Sequence, residues 1–172
     1  MLRLLGGVMI LGGCFGLGLW YRAEFKGRLR AVRLLRRILE LLSGEVRYGR
    51  ATLPECCGHV AKYLNPPMRE SFLEIEKEMA ENTGLSFGEI FRSRTKEALE
   101  AFSLKEEDRE IFFRFAEQTG FADGQMQLKT LEQSIELLRA AEEKLENENA
   151  GKCRMAVGLG AMSGMLLILI LL

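Results

Sequence analysis

None of the 4 cysteines stands in a Cys-x-x-Cys spacing, and no Gly-x-x-x-x-Gly-Lys-[Ser/Thr] loop occurs in the chain. The first absence removes the thiolate framework of a structural metal site. The second removes the backbone cradle that holds nucleotide phosphates. No stretch alternates apolar and polar residues with period two, so no strand is expected. No proline stands between Asp123 and Leu172, so nothing there forces a helix to break. Lys+Arg and Asp+Glu are each 24, so net charge is +0 and the chain lacks the basic footprint of a nucleic-acid binder.

Charge is plentiful but sorted along the chain. Residues 22–50 hold nine Lys/Arg against three Glu; 51–103 hold six against nine, and 104–149 hold six against twelve. Two runs near the ends carry none. Residues 4–21 and 155–172 are apolar runs of 18 residues each. As helices they would span roughly 27 Å, close to the ~30 Å hydrocarbon layer of a bilayer. Two transmembrane helices are therefore expected, with residues 22–154 between them as one domain.

Orientation follows from the flanks. Only Arg3 precedes the first run, whereas Arg22, Lys26, Arg28, Arg30, Arg33, Arg36 and Arg37 follow it, and Lys152 and Arg154 precede the second. Both biases put the middle domain in the cytoplasm and both termini outside. Trp20 and Tyr21 stand where an interfacial aromatic anchor belongs. Leu11-Gly12-Gly13-Cys14 resembles a lipoprotein cleavage site, but the apolar run continues past it and the positive charge beyond opposes export.

The middle domain reads as helices throughout. Val32, Leu35, Leu39, Leu42 and Val46 form one stripe, with Ser43-Gly44 as a weak point and Gly49 as its end. A second helix starts near Pro54 and runs to about Leu64, before Asn65-Pro66-Pro67. Met68, Phe72, Ile75 and Met79 mark a third, closed by Asn82-Thr83-Gly84. Ser86-x-x-Glu89 and Ser103-x-x-Glu106 read as capping boxes that open a fourth and a fifth. Asp123 caps a last helix through Leu128, Leu131, Ile135, Leu138 and Leu145, which continues as one rod into the second apolar run. Short connections favour antiparallel neighbours, and so an antiparallel bundle.

Few residues suggest chemistry. Cys56, Cys57 and His59 are the one cluster with a nucleophile and a base, yet positions 57 and 59 of a helix lie about 200° apart. No catalytic, cofactor-binding or metal-binding residue is assigned. Acidic faces at Glu106, Glu107 and Asp108, and at Glu142 and Glu143, are candidate docking surfaces for a basic partner. Gly12 and Gly16 in the first run, and Ala156, Gly160 and Gly164 in the second, would let membrane helices approach closely. The basic stretch after the first run would also suit anionic lipid headgroups.

Two stretches carry a family resemblance: Leu41-Leu42-x-x-Glu45-Val46-x-Tyr48-Gly49 followed by Leu53-Pro54-Glu55, and Phe115 through Gly120 and Asp123 to Gln127 and Leu131. Over nearly its whole length the chain resembles the stage III sporulation protein AB family. That family is itself similar to the F-type inner-membrane platform proteins of type II secretion and type IV pilus machines. The resemblance implies a helical F-type domain in the mother-cell cytoplasm of an endospore former. It also implies a platform role in a secretion-like channel between mother cell and forespore. The partners it implies are a hexameric secretion-type ATPase, other membrane subunits of the complex and the bilayer, with no cofactor. Asp123 and Gln127 match the family pattern and join the candidate partner-facing residues. Platform proteins of the secretion machines have two such domains, so a single domain invites pairing with a second copy or another subunit. A membrane-tethered adaptor that binds a signalling partner is the alternative reading.

Overall fold

The computed structural model describes residues 26–49, 51–81, 84–117 and 124–171, the side chains of Gly124 and of residues 149–171 excepted. Among these residues there are six α-helices and no strand: α1 (26–48), α2 (Leu53–Ala61), α3 (Met68–Ala80), α4 (Phe87–Glu100), α5 (Glu106–Glu117) and α6 (Gly124–Leu171).

The helices begin and end for local reasons. Thr52 is the N-cap of α2 and its backbone N–H donates to the Glu55 carboxylate at 2.7 Å. Pro54 sits in the first turn, where its missing N–H costs nothing. The helix closes at Ala61, earlier than its apolar pattern suggests. The N–H groups of Lys62, Tyr63 and Leu64 bond instead to carbonyls three residues back, at 2.9–3.3 Å, which tightens the last turn. Ser86 caps α4 as expected: its Oγ accepts from the Glu89 N–H at 3.3 Å, and its own N–H donates to Glu89 at 2.8 Å. Gly84 adopts φ +80° just after α3, a conformation that costs glycine little. Residues 82 and 83 lie outside the described residues.

One expected cap is wrong. Ser103 does not open α5. The helix begins at Glu106, and it is the Lys105 N–H that is satisfied, donating to Asp108 Oδ2 at 3.1 Å. Asp108 takes the place assigned to Glu106 because its side chain turns inward, whereas Glu106 points to solvent.

The core follows the stripes. Val32, Leu35, Ile38, Leu39 and Leu42 of α1 pack with Phe72 and Ile75 of α3, Ile90, Phe91 and Leu99 of α4, Phe112 and Phe115 of α5, and Leu131, Leu138 and Leu145 of α6. Ser43 is buried and Gly44 does not interrupt α1, so the suspected weak point holds as helix. Phe91 is the aromatic hub. Its ring lies 5.7 Å from Phe72, 5.6 Å from Phe87, 5.3 Å from Phe112 and 5.0 Å from Phe115, centroid to centroid. Those with Phe72 and Phe115 are edge-on, the geometry aromatic quadrupoles favour.

Close approach of α4 to α5 depends on Gly88. A Cβ there would lie 2.8 Å from the Ala116 carbonyl oxygen. At Gly58 the obstacle is only the mobile end of the Glu76 side chain. Gly88→Ala is therefore expected to destabilise by about 1–3 kcal/mol through overpacking. Gly58→Ala should be near neutral, since helix propensity offsets the displaced carboxylate. Thermal melts of the two variants, followed by circular dichroism, check the contrast.

α6 is the longest element, 48 residues and so about 72 Å. Gly151 does not break it. Among the described residues no helix is long and apolar enough to cross a membrane. The apolar run 4–21, with Gly12 and Gly16, lies outside them. The run 155–172 falls on the last part of α6, helical through Leu171, where the side chains of Ala156 and its neighbours lie outside the description.

Candidate interaction surface

The two longest helices are stitched antiparallel. Arg47 pairs with Glu132, Arg36 Nε donates to Glu142 at 2.9 Å, Arg33 Nε donates to Glu142 at 2.6 Å, and Arg33 also pairs with Glu146. Each step toward the start of α1 is matched by a step toward the end of α6. Exposed ion pairs of this kind contribute little to stability singly, but together they fix register. Arginine suits the task because its planar fork grips two carboxylates at once.

A stronger link joins α1 to α5. Arg28 Nε donates to Asp108 Oδ2 at 2.8 Å and its Nη2 to Oδ1 at 3.0 Å, a bidentate grip. Asp108 is 1% exposed. The hydrogen bond to Asp108 raises the Arg28 pKa despite partial burial, so the guanidinium stays charged. Beside it, Ser103 Oγ would come within 3.3 Å of a Cβ on Gly27, so the α4–α5 connection rests on the first turn of α1.

Other seams follow the same rule. Arg92 grips Glu110 and Glu117 of α5 while its guanidinium lies 4.7 Å over the Phe113 ring. Arg94 holds Glu78 of α3 at 2.6 Å. His59 Nδ1 meets Glu45 at 2.9 Å, tying α2 to α1.

This arithmetic of charge changes the acidic docking surface expected from the sequence. Asp108 and Glu142 are committed inside the fold, to Arg28 and to Arg33 with Arg36, and cannot serve a partner. Glu106, Glu107 and Glu143 remain exposed, at two separate places. Gln127 is half-buried in the first turns of α6, and Asp123 lies outside the described residues. The basic stretch is likewise reassigned in part: Arg28, Arg33 and Arg36 hold carboxylates of this chain. The spacing of Asp108, Phe112 and Phe115 put the carboxylate on the core face, as Arg28, Val32 and Leu35 did the guanidinium; that periodicity was the available signal.

Glu142 gives a pH dependence. Burial alone would raise its pKa, but hydrogen bonds from Arg33 and Arg36 outweigh that and hold it below the usual carboxylate range. A depressed native pKa adds stability that is complete above the unfolded value of about 4.3 and fades as pH falls through the native one. Wild type is thus expected to lose stability between about pH 4 and more acid conditions. Glu142→Gln should flatten that acid limb, as urea titrations across pH will show.

The fold does not bring the cysteines and His59 together as nucleophile and base. Cys56 and Cys57 face the core with no exposure, while His59 faces solvent on Glu45. Burial first, then nearby Glu45 and Glu55, push the Cys56 thiol up to about 11; burial pushes Cys57 higher still. Thiols so protonated are inert. With Cys14 and Cys153 changed to Ser, the folded protein should resist alkylation at neutral pH and react only once denatured; rapid native labelling would contradict this burial. Among the described residues no group of His, Cys, Asp and Glu could hold a metal ion.

By class this is an all-helical bundle framed by a long antiparallel pair. The chain belongs to the stage III sporulation protein AB family, whose profile it matches over residues 3–172. It is 29% identical over 172 residues to stage III sporulation protein AB of Bacillus subtilis (strain 168), covering the full length of both. A solved structure of a stage III sporulation protein AB is similar with a TM-score of 0.63 and 26% identity, over 72% of this chain and 97% of that one.

Proposed function

We propose that this chain is a non-enzymatic platform subunit of a secretion-like sporulation complex between mother cell and forespore. Apolar runs 4–21 and 155–172 hold it in the membrane, and its cytoplasmic bundle couples a secretion-type ATPase to a membrane channel. The observation that carries the reading is the antiparallel register of α1 and α6, set by Arg33 with Glu146, Arg36 with Glu142 and Arg47 with Glu132. A bundle built this way presents the start of α1 and the C-terminal half of α6 at the same end. That is the arrangement a protein anchored at both ends on one membrane face requires. Membership of a sporulation family supports the setting.

Coupling would run through rigid elements. A helix continuous from bundle to its C-terminal apolar stretch transmits tilt better than a loop does, and the Arg28–Asp108 grip carries displacement of α1 into α5. Co-purification in detergent tests the partner. The full chain should bring down the secretion-type ATPase of its complex, and Glu106→Lys with Glu107→Lys and Glu143→Lys should weaken the association. Failure of the wild-type chain to retain the ATPase would overturn the coupling.

A further inference from the structure

The outward face of α1 is exposed at Lys26, Arg30, Arg37 and Tyr48, and its chemistry is ordered. With 100° per residue, Lys26, Arg30, Arg37, Gly44 and Tyr48 fall on one line roughly opposite Arg28, Leu35 and Leu39, which face the core. On one flank Arg33, Arg36 and Arg47 all turn to α6, Arg33 from the very edge of the line; on the other Glu45 meets α2 and Gly27 meets the α4–α5 connection. The line between those flanks is open. Lys26, Arg30 and Arg37 are exposed, and none has a carboxylate partner among the described residues; Arg30 Nε donates only to the Lys26 carbonyl, at 3.2 Å. Farther along, a Cβ built on Gly44 would meet nothing within 4 Å, and Tyr48 is 86% exposed, more than any other large apolar side chain described.

From this we infer that the outward face of α1 is a docking surface for a helix of a partner protein, one with carboxylates at helical spacing toward the Lys26 end and an apolar end that meets Gly44 and Tyr48. Each feature has a use in such a contact. The three cations sit at steps of four and seven, the period at which a helix presents one face. Gly44 lets a second backbone come close, and a rigid aromatic such as Tyr48 is the residue type that anchors interfaces. Charge matching sets orientation and partner choice, and the aromatic end supplies desolvated contact.

Length argues against the bilayer as occupant. Arg37 stands about 16 Å along the helix from Lys26, and Tyr48 about 33 Å. With the membrane at the Lys26 end and α1 along its normal, as the proposed anchoring places it, headgroup charge is screened within about 8 Å at physiological salt, so lipid would engage Lys26 and Arg30 but not Arg37 or Tyr48. The inference does not depend on the ATPase coupling; it identifies a contact face whichever protein supplies the helix.

The test is photocrosslinking in sporulating cells, with p-benzoylphenylalanine placed at Tyr48 or at Arg37 of the full chain and, as background, at Tyr63. Adduct peptides are identified by mass spectrometry. Tyr48 and Arg37 should give adducts on one helical segment of one protein, with carboxylates at three- and four-residue spacing near the Arg37 adduct. Arg30→Glu combined with Arg37→Glu should lower the Tyr48 adduct about fivefold without lowering protein level. Any of three results overturns the inference: adducts no stronger than at Tyr63, an Arg37 adduct on lipid, or a Tyr48 adduct indifferent to the charge reversal. Retention of the ATPase, measured separately, reports on the platform reading and not on this face.

Discussion

Asp108→Ala is expected to destabilise the protein by about 3 kcal/mol, measured by urea titration of the full chain in detergent. The substitution leaves Arg28, only 19% exposed at its side chain, without its bidentate partner, and the Lys105 N–H without an acceptor. Removing one member of a buried pair costs far more than removing both, because the survivor keeps its charge in a poorly solvated place. Arg28→Met combined with Asp108→Leu should therefore recover the part of the loss due to the stranded charge, though not the part due to the Lys105 N–H. If single and double variants are equally unstable, the pair is not a buried lock and the link from α1 to α5 must be sought elsewhere.

Phe91→Ala should cost about 3–5 kcal/mol, the usual range for a large aromatic cut out of a core. Phe91 touches Phe72 of α3 and Phe112 and Phe115 of α5, so its loss opens the meeting place of three helices at once. Phe91→Leu fills most of the volume and should cost distinctly less. The same ring in Phe87 is half-buried, and Phe87→Ala is expected to be milder for that reason. A Phe91→Ala protein that melts with wild type would show that the hub is not packed as described.

The helices were legible because their signals are local and repeated. The stripe is buried from Val32 to Leu42 and half-buried at its last member, Val46, and Ser86 with Glu89 closes the capping box its spacing promised. Thr52 with Glu55 has the same spacing and forms the same box around Pro54. Which carboxylates of the acidic surface stay exposed was not legible, for a different reason. Glu106, Glu107 and Asp108 look alike in sequence, and what separates them is Arg28, 80 residues away. No local pattern announces a long-range ion pair, although the step from Asp108 to Phe112 hinted at it. Glu142 and Glu143 differ likewise: adjacent residues of a helix point about 100° apart, so one reaches Arg33 and Arg36 while the other faces solvent. Tyr48 was visible only as part of a family-like stretch; its outward course could be known only once the core side of α1 was fixed.

A platform role requires both ends of the chain to hold the bundle on the cytoplasmic face of one membrane. A single cysteine at the exposed position 63, in a chain whose native cysteines are changed to Ser, tests it directly with a membrane-impermeant thiol reagent. Tyr63→Cys is expected to stay unlabelled in intact cells and to react once the membrane is permeabilised. Labelling in intact cells would put the bundle on the outer side, out of reach of any cytoplasmic ATPase, and contradict the account.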